Sequence, residues 1–387
     1  MTDPRSATRA WAPVFAGLCV VLVLTFTAFG AVIPVIPRRV LDDLGAAPFW
    51  VGAAFGTSGL VAIVARPYAG RLAQRLGSRP VMVAGCLLAA AVGASYALPL
   101  GLAGLLGTRV VMGLAESMVF TAGSLWTVGL APADRRGQVV GWYGLAMWTG
   151  WTFGPLVGEV TFRAGGEGPV WTVAAVAPLV AAAVVSRLPG FASTAGPASR
   201  RLLPRAAVLP GISLALASAG YATLVGFGAL LLGDRDIGGG GLLLTVFGGA
   251  YIVVRLVAGR LPDRVGAAPV AVWCGALEAS GLVLLVVAPA FWVAGVGALL
   301  MGAGFTLLYP ALALLVIDGS AEDERGAALG AYTSFWDLGL GAAGLVAGAL
   351  AGLSYAAPFV LSAVAAALCA ATGAVAARRI GTHAPAR

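Results

Sequence analysis

The chain has no lysine, a single histidine and four cysteines, and only 10% of its residues are charged. Each scarcity closes off a class of chemistry. Without lysine there is no GxxxxGK[ST] loop to cradle a nucleotide, so ATP is not expected as a direct energy source. The one histidine, His383, is in the C-terminal tail. The serine of Gly56-Thr57-Ser58-Gly59 therefore lacks the partner that would activate it as a nucleophile. Cys19, Cys86, Cys274 and Cys369 sit inside apolar runs with no CxxC spacing, which fits packing residues rather than metal ligands. Gly339-Leu340-Gly341-Ala342-Ala343-Gly344 has GxGxxG spacing but no preceding strand, so a dinucleotide site fails its structural context. The expectation is a protein that is not an enzyme and carries neither cofactor nor metal.

What is abundant is apolar. Hydrophobic residues make up 60% of the 387 residues and the mean hydropathy is +0.95, far from the balance of a water-soluble domain. A helix needs roughly 20 apolar residues to cross the hydrocarbon core. Spans are expected near 12–35, 49–66, 80–98, 101–127, 138–161 and 169–187, then 206–232, 240–258, 268–288, 290–316, 327–350 and 354–377. In lipid the backbone must bond within its own segment, so runs of this length are helices. The fold expected is all-α: twelve transmembrane helices in two six-helix bundles, 1–187 and 206–387. A Pro- and Ser-containing linker, 188–205, joins them on the cytoplasmic side. The first run has no clear cleavage site after it and is expected to remain as a span.

The net charge of +8 is scattered through short loops, which speaks for topology and against a nucleic-acid partner. With the N-terminus inside, nineteen of the 24 arginines fall in cytoplasmic segments; only Arg38, Arg39, Arg163 and Arg235 fall outside, and Arg109 lies within a span. The positive-inside rule thus places both termini in the cytoplasm.

The sequence also repeats itself. AGRLAQRLG from Ala69 to Gly77 returns as AGRLPDRVG from Ala258 to Gly266, an offset of 189 residues. At the same offset Arg66 matches Arg255, Pro80 matches Pro269 and Asp134 matches Asp323, while Arg136, Gly137, Gly141 and Tyr143 match Arg325, Gly326, Gly330 and Tyr332. Separate blocks that hold one register indicate two copies of a six-helix unit. An even helix number gives both copies the same orientation.

These residues resemble the major facilitator superfamily over essentially the whole chain. Gly70, Arg71, Arg75, Gly77 and Arg79 look like its signature loop after the second helix, and Gly259, Arg260, Asp263, Arg264 and Gly266 look like the second copy. The family pattern has Asp where this chain has Gln74; the second copy keeps it as Asp263. In the fifth span Gly150, Gly154, Pro155 and Gly158 are similar to the GxxxGPxxG pattern that the family associates with antiporters, although Glu159 stands where a further glycine is frequent. The alternative for this motif is a packing interface, since small residues let helices approach closely and Pro155 weakens the local ladder.

Four ionisable residues fall well inside spans, away from their ends: Arg109, Glu116, Glu278 and Asp337. A charge at the bilayer centre costs about 2.5–3.5 kcal/mol even on permissive scales, so each needs a cavity or a partner. Arg109 stands where the resembled family has an arginine linked to proton movement. Glu116 follows seven residues later, ~10 Å along the axis, too far for direct pairing. Water, substrate or another helix could bridge them, and desolvation favours the protonated acid. Asp337, beside Trp336, either stays protonated or meets an arginine of the other half. Arg109, Glu116 and Asp337 are therefore the proton-coupling candidates, with an interhelical polar network as the alternative. Glu278 reads more as packing, because ninth helices in the resembled fold lie outside the cavity. The resemblance places the cavity on the first, fourth, seventh and tenth helices, giving Phe29, Trp126, Tyr221, Phe305, Thr306 and Tyr309 as candidate contacts, with Trp336 added from the eleventh.

The function expected is proton-coupled efflux, by alternating access in the inner membrane, of a small hydrophobic or amphiphilic molecule such as a drug or secondary metabolite. The partners would be substrate, protons and the lipid bilayer, with the monomer as the working unit. The alternatives are a proton-coupled carrier of a sugar or organic acid, and a non-transporting membrane sensor or enzyme.

Overall fold

The protein is described by a computed structural model that covers residues 4–132, 135–190, 204–321 and 324–381. Most of the expected linker, the tail with His383, and the repeat pair Asp134 and Asp323 lie outside the described residues. Twelve long helices run through the rest: α1 Pro4–Ala31, α2 Phe49–Leu76, α3 Ser78–Ser95, α4 Gly101–Leu130, α5 Arg136–Gly165, α6 Glu167–Arg187, α7 Arg205–Gly233, α8 Leu243–Ala258, α9 Ala267–Val287, α10 Phe291–Asp318, α11 Arg325–Ala351 and α12 Ala357–Gly381. No strand occurs among the described residues. The all-helical membrane architecture read from the apolar runs is thus the one observed.

Ten helical segments are long and apolar enough to cross a bilayer, and a shorter apolar stretch, Ala357–Thr372, lies in α12. The remaining long helix, α5, carries Trp142, Tyr143, Trp148, Trp151 and Glu159 among its glycines, which lowers its hydropathy. The surface is that of a protein solvated by lipid. Val257, Leu353 and Trp292 are more than two-thirds exposed, and in all some forty large apolar side chains among the described residues are exposed, as suits a surface facing acyl chains.

Contacts group the chain into two units, 1–44 with 61–196 and 45–60 with 197–387. In the first, α1 packs on α5 and α6, and α3 on α4 and α6. In the second, the corresponding helices pair in the same way: α7 on α11 and α12, and α9 on α10 and α12. The repeat register survives in atomic detail. The Tyr143 hydroxyl donates to the Phe120 carbonyl at 3.4 Å, and the Tyr332 hydroxyl donates to the Tyr309 carbonyl at 2.8 Å. Both members of these pairs are 189 residues apart.

The segment read as a signature loop is mostly helix. Gly70, Arg71 and Arg75 lie in the last turns of α2, and Arg79 in the first turn of α3. The reversal is confined to Gly77, whose φ of 90° suits a residue without Cβ. In the second copy Gly259 ends α8, Arg260 sits in the turn, Asp263 and Arg264 lie in the short helix Leu261–Val265, and Gly266 repeats the reversal with φ 99°.

One helix is divided between the units. The start of α2, up to Leu60, belongs with the second unit and lies along α11: a Cβ on Gly52 would fall 2.7 Å from the Gly348 Cα, and one on Gly59 3.0 Å from the Gly341 nitrogen. The rest of α2, from Val61, belongs with the first.

Candidate functional site

In the first unit, three features bear on chemistry. The first is a close helix pair. The motif residues of α5 face the end of α1: a Cβ on Gly150 would lie 2.6 Å from the Phe26 Cβ, one on Gly154 would lie 2.6 Å from the Gly30 Cα, and one on Gly158 would collide with the Ala31 carbonyl. On the other side of the contact, a Cβ on Gly30 would meet the Pro155 Cδ at 3.1 Å. The motif therefore brings two backbones together, as its packing interpretation requires.

This contact gathers aromatics. Phe26 makes edge contacts with Phe29 and Trp151 at centroid distances of 5.6 Å, and with Phe120 at 6.4 Å. Phe29, a cavity candidate, is thus part of a wall whose other members the sequence reading did not name. Trp126, another candidate, is fully buried with its indole N–H unpartnered among the described residues, which makes it a core residue in this conformation.

The second feature is an ion pair inside the bundle. Arg66 of α2 reaches Glu116 of α4 at 3.5 Å, both side chains about one-sixth exposed, and the same guanidinium lies 5.3 Å above the Phe120 ring. Glu116 thus meets an arginine from another helix, a partner that the sequence reading did not name. Arg109 is buried elsewhere: one guanidinium nitrogen lies 2.8 Å from the Met112 sulfur, and its cationic carbon sits 5.9 Å from the Tyr96 ring centroid.

The third is a polar cluster whose arginines the sequence places outside the membrane and whose Glu159 it leaves as a departure from the glycine motif. Glu159, nearly buried, accepts from Arg38 at 3.2 Å and from Arg163 at 2.9 Å, and Arg39 reaches Glu167 at 2.9 Å. Arg38 also stacks over Phe162 at 4.5 Å, and Arg39 over Trp171 at 5.5 Å. The available signal was the Glu159–Arg163 spacing of four on one helix. Nothing local links either residue to Arg38, more than a hundred positions away.

The second unit holds a larger aromatic group. Tyr221 of α7 stacks on Phe305 of α10 at 6.1 Å with planes 15° apart, and Trp336 of α11 lies 5.9 Å from Tyr221 and 5.2 Å from Phe305. Phe247 and Tyr251 of α8 complete the group, each within 6.3 Å of Phe305. Three candidates from three helices thus meet, joined by two residues the eighth helix adds. Asp337, adjacent to Trp336, is 2% exposed. Tyr309 and Thr306 stand apart: Tyr309 is exposed, stacks on Tyr332 at 5.2 Å and bonds Thr333 at 3.0 Å, while Thr306 is fully buried.

Among the described residues no group of three His, Cys, Asp or Glu side chains is placed to hold a metal ion. The arrangement instead offers carboxylates that can exchange protons and aromatic faces that can hold an apolar ligand.

Comparison with known proteins accords with this geometry. The family model described as Major Facilitator Superfamily matches residues 18–233 and again 211–386. An uncharacterized MFS-type transporter of Escherichia coli (strain K12), YhhS, is 32% identical over 337 residues, 84% of this chain and 82% of that protein. The uncharacterized MFS-type transporter STM4428 of Salmonella typhimurium (strain LT2) is 31% identical over 336 residues, covering 84% and 87%. Among solved structures, a mutant of the nucleoside transporter NupG superposes with a TM-score of 0.75 at 13% identity, covering 95% of this chain and 99% of that one. The human organic anion transporter MFSD10 (TETRAN) gives 0.68 at 18% identity, covering 94% and 99%. At these identities the structural likeness speaks for the fold alone.

Proposed function

The chain belongs to the major facilitator superfamily, and from that premise we propose that it is a proton-coupled exporter of small hydrophobic or amphiphilic molecules, of the drug or secondary-metabolite kind. The substrate site would open to one side of the membrane and then to the other. The observation that carries the reading is the Tyr221–Phe305–Trp336 group, a mostly apolar aromatic wall immediately followed in sequence by the buried Asp337. An aromatic wall favours ligands with flat apolar surface, and a membrane-embedded carboxyl beside it can trade a proton for a ligand. Glu116, paired with Arg66, is the second exchangeable group. Arg109 is assigned a supporting part, its fixed positive charge biasing proton movement in the first unit.

The α1–α5 contact through Gly150, Gly154, Pro155 and Gly158 supports antiport only as a close, bendable helix pair. The protein is assigned to the inner membrane with both termini cytoplasmic, acting as a monomer in two halves, 1–187 and 206–387, joined by the 188–205 linker. The named substrates of the structural neighbours suggest a second reading, transport of a nucleoside or organic anion, and a sugar or organic acid belongs to the same polar class. The buried cation of Arg109 is the feature that favours it.

Everted membrane vesicles separate these readings. Ethidium, uridine and salicylate are added in turn while lumenal pH is followed. Export by antiport predicts proton release with ethidium and none with the other two. Glu116→Gln and Asp337→Asn should each abolish that release, and coupling that survives both substitutions rejects the assignment.

A further inference from the structure

Glu278 sits near the middle of α9, fully buried, among residues that the proposed transport reaction does not use. Its Oε1 faces Gly220 of α7, where a Cβ would lie 2.6 Å away, and its backbone nitrogen faces Gly304 of α10, where a Cβ would lie 3.0 Å away. Among the described residues neither carboxyl oxygen has a hydrogen-bond partner.

The titratable groups around it are two buried thiols, Cys274 one turn earlier on α9 and Cys369 on α12. The charges of α7, of α10 and of the short helix before α9 are remote. On α7 and α10 they are Arg205 and Asp318 at the helix ends, each roughly 20 Å along the axis from Gly220 or Gly304. Asp263 and Arg264 of the short helix packed against the start of α9 precede Glu278 by about the same length of helix. Arg378 and Arg379 of α12 follow Cys369 by nine and ten positions in the sequence. A carboxylate with neither donor nor cation beside it is not held in such packing, whereas the neutral acid is.

The internal repeat shows that the bundle does not need an acid there. At the 189-residue offset Glu278 corresponds to Ala89, in the helix that begins at the matching position, and Ala89 is buried with only 2% exposure. One copy closes this place with a methyl group; the other opens a notch at Gly220 and fills it with a carboxyl. Gly220, which faces the carboxyl, and Gly304, which faces the Glu278 backbone, also precede Tyr221 and Phe305, the stacked pair of the aromatic group. Any shift of α7 against α10 at that pair therefore moves the walls around Glu278.

We propose that Glu278 is a proton-binding site of the transport cycle, holding a proton as the neutral acid in the packed bundle and releasing it when ligand binding at Tyr221 and Phe305 parts α7 from α10. The carboxyl O–H bond breaks, the proton leaves on entering water, and the carboxylate takes a proton back from water before the bundle closes. The release step rests on the transport reading above; proton binding does not.

Infrared spectra of the purified protein in liposomes at neutral pH read the acid directly. The wild type should show the carbonyl stretch of a buried protonated carboxylic acid, shifting on transfer to heavy water. Glu278→Gln should lack it, and so should Glu278→Ala, which copies the other half and guards against a folding defect in the first variant. In everted vesicles both variants should still equilibrate ethidium, while accumulation driven by a pH gradient falls about fivefold or more, the low end of coupling between sites. An unchanged carbonyl band in both variants overturns proton binding, and wild-type accumulation in both overturns the role in transport. If the wild type moves none of ethidium, uridine and salicylate, the exporter reading and the release step fail together, and the infrared band alone decides proton binding.

Discussion

Trp336 and Trp126 show how differently two tryptophans of similar sequence setting behave. Both lie in apolar helices and both were candidates for ligand contact, yet Trp126 is fully enclosed while Trp336 is half-buried against Phe305 and Tyr221. An aromatic pair contributes about 0.5–1.5 kcal/mol beyond its buried area, so losing one ring from the group should weaken ligand binding roughly 2- to 12-fold. Trp336→Ala is expected to raise the ethidium KM by that factor with little change in melting temperature. Trp126→Phe should do the opposite, lowering stability by about 1 kcal/mol and leaving KM in place. Transport kinetics with thermal unfolding in detergent distinguish the two, and a reversal of the pattern would exchange their roles. The Arg66–Glu116 pair belongs to the same scale. Sequence spacing offered only Arg109 as a local partner, and α2 supplied the arginine instead.

Among the elements, α5 is the most demanding. Its glycines face a neighbouring backbone at some positions and open space at others, so they are not equivalent. Gly154 has the Gly30 Cα against it, whereas a Cβ on Gly144 would meet nothing within 4 Å. Overpacking a tight contact costs about 1–3 kcal/mol or more. Gly154→Val should therefore lower the melting temperature and the yield of folded protein, and Gly144→Val should leave both near wild type. Equal effects at the two sites would mean that α1 and α5 are not packed as described. The same helix explains why the GxxxG spacing alone was ambiguous. With 56 glycines in the chain, spacing cannot distinguish a glycine that a neighbour requires from one that nothing touches.

For the molecule as a whole, duplication governs the architecture and charge governs its orientation. The matching Tyr143–Phe120 and Tyr332–Tyr309 hydrogen bonds confirm in atoms what the 189-residue offset implied in letters. Orientation can be read with a membrane-impermeant maleimide on intact cells. The native thiols lie in helices, three of them buried and Cys19 half-buried, so an introduced cysteine should dominate the labelling. Gly238→Cys, where a Cβ meets nothing within 4 Å, should react from outside. Gln74→Cys, in the exposed last turn of α2, should react only after the cells are opened. Labelling of Gln74→Cys in intact cells would invert the assigned topology.

The sequence alone fixed the features that depend on short-range rules. Lipid forces backbone groups to bond within a segment, so apolar runs determine helices, and a repeat that keeps register determines two like bundles. It also marked Arg109, Glu116, Glu278 and Asp337 deep in their spans, because the cost of such a group does not depend on which neighbour it finds, but it passed over the buried Glu159. Only the tertiary structure decided the neighbours themselves. It gave Arg66 to Glu116, brought Phe247 and Tyr251 into the aromatic group, joined Arg38 to Glu159, and split the signature segment into helix ends around Gly77 and Gly266. All but the reversals at Gly77 and Gly266 rest on contacts between residues tens to more than a hundred positions apart. In a chain so uniformly apolar, nothing in the local pattern says which face of one helix meets which face of another.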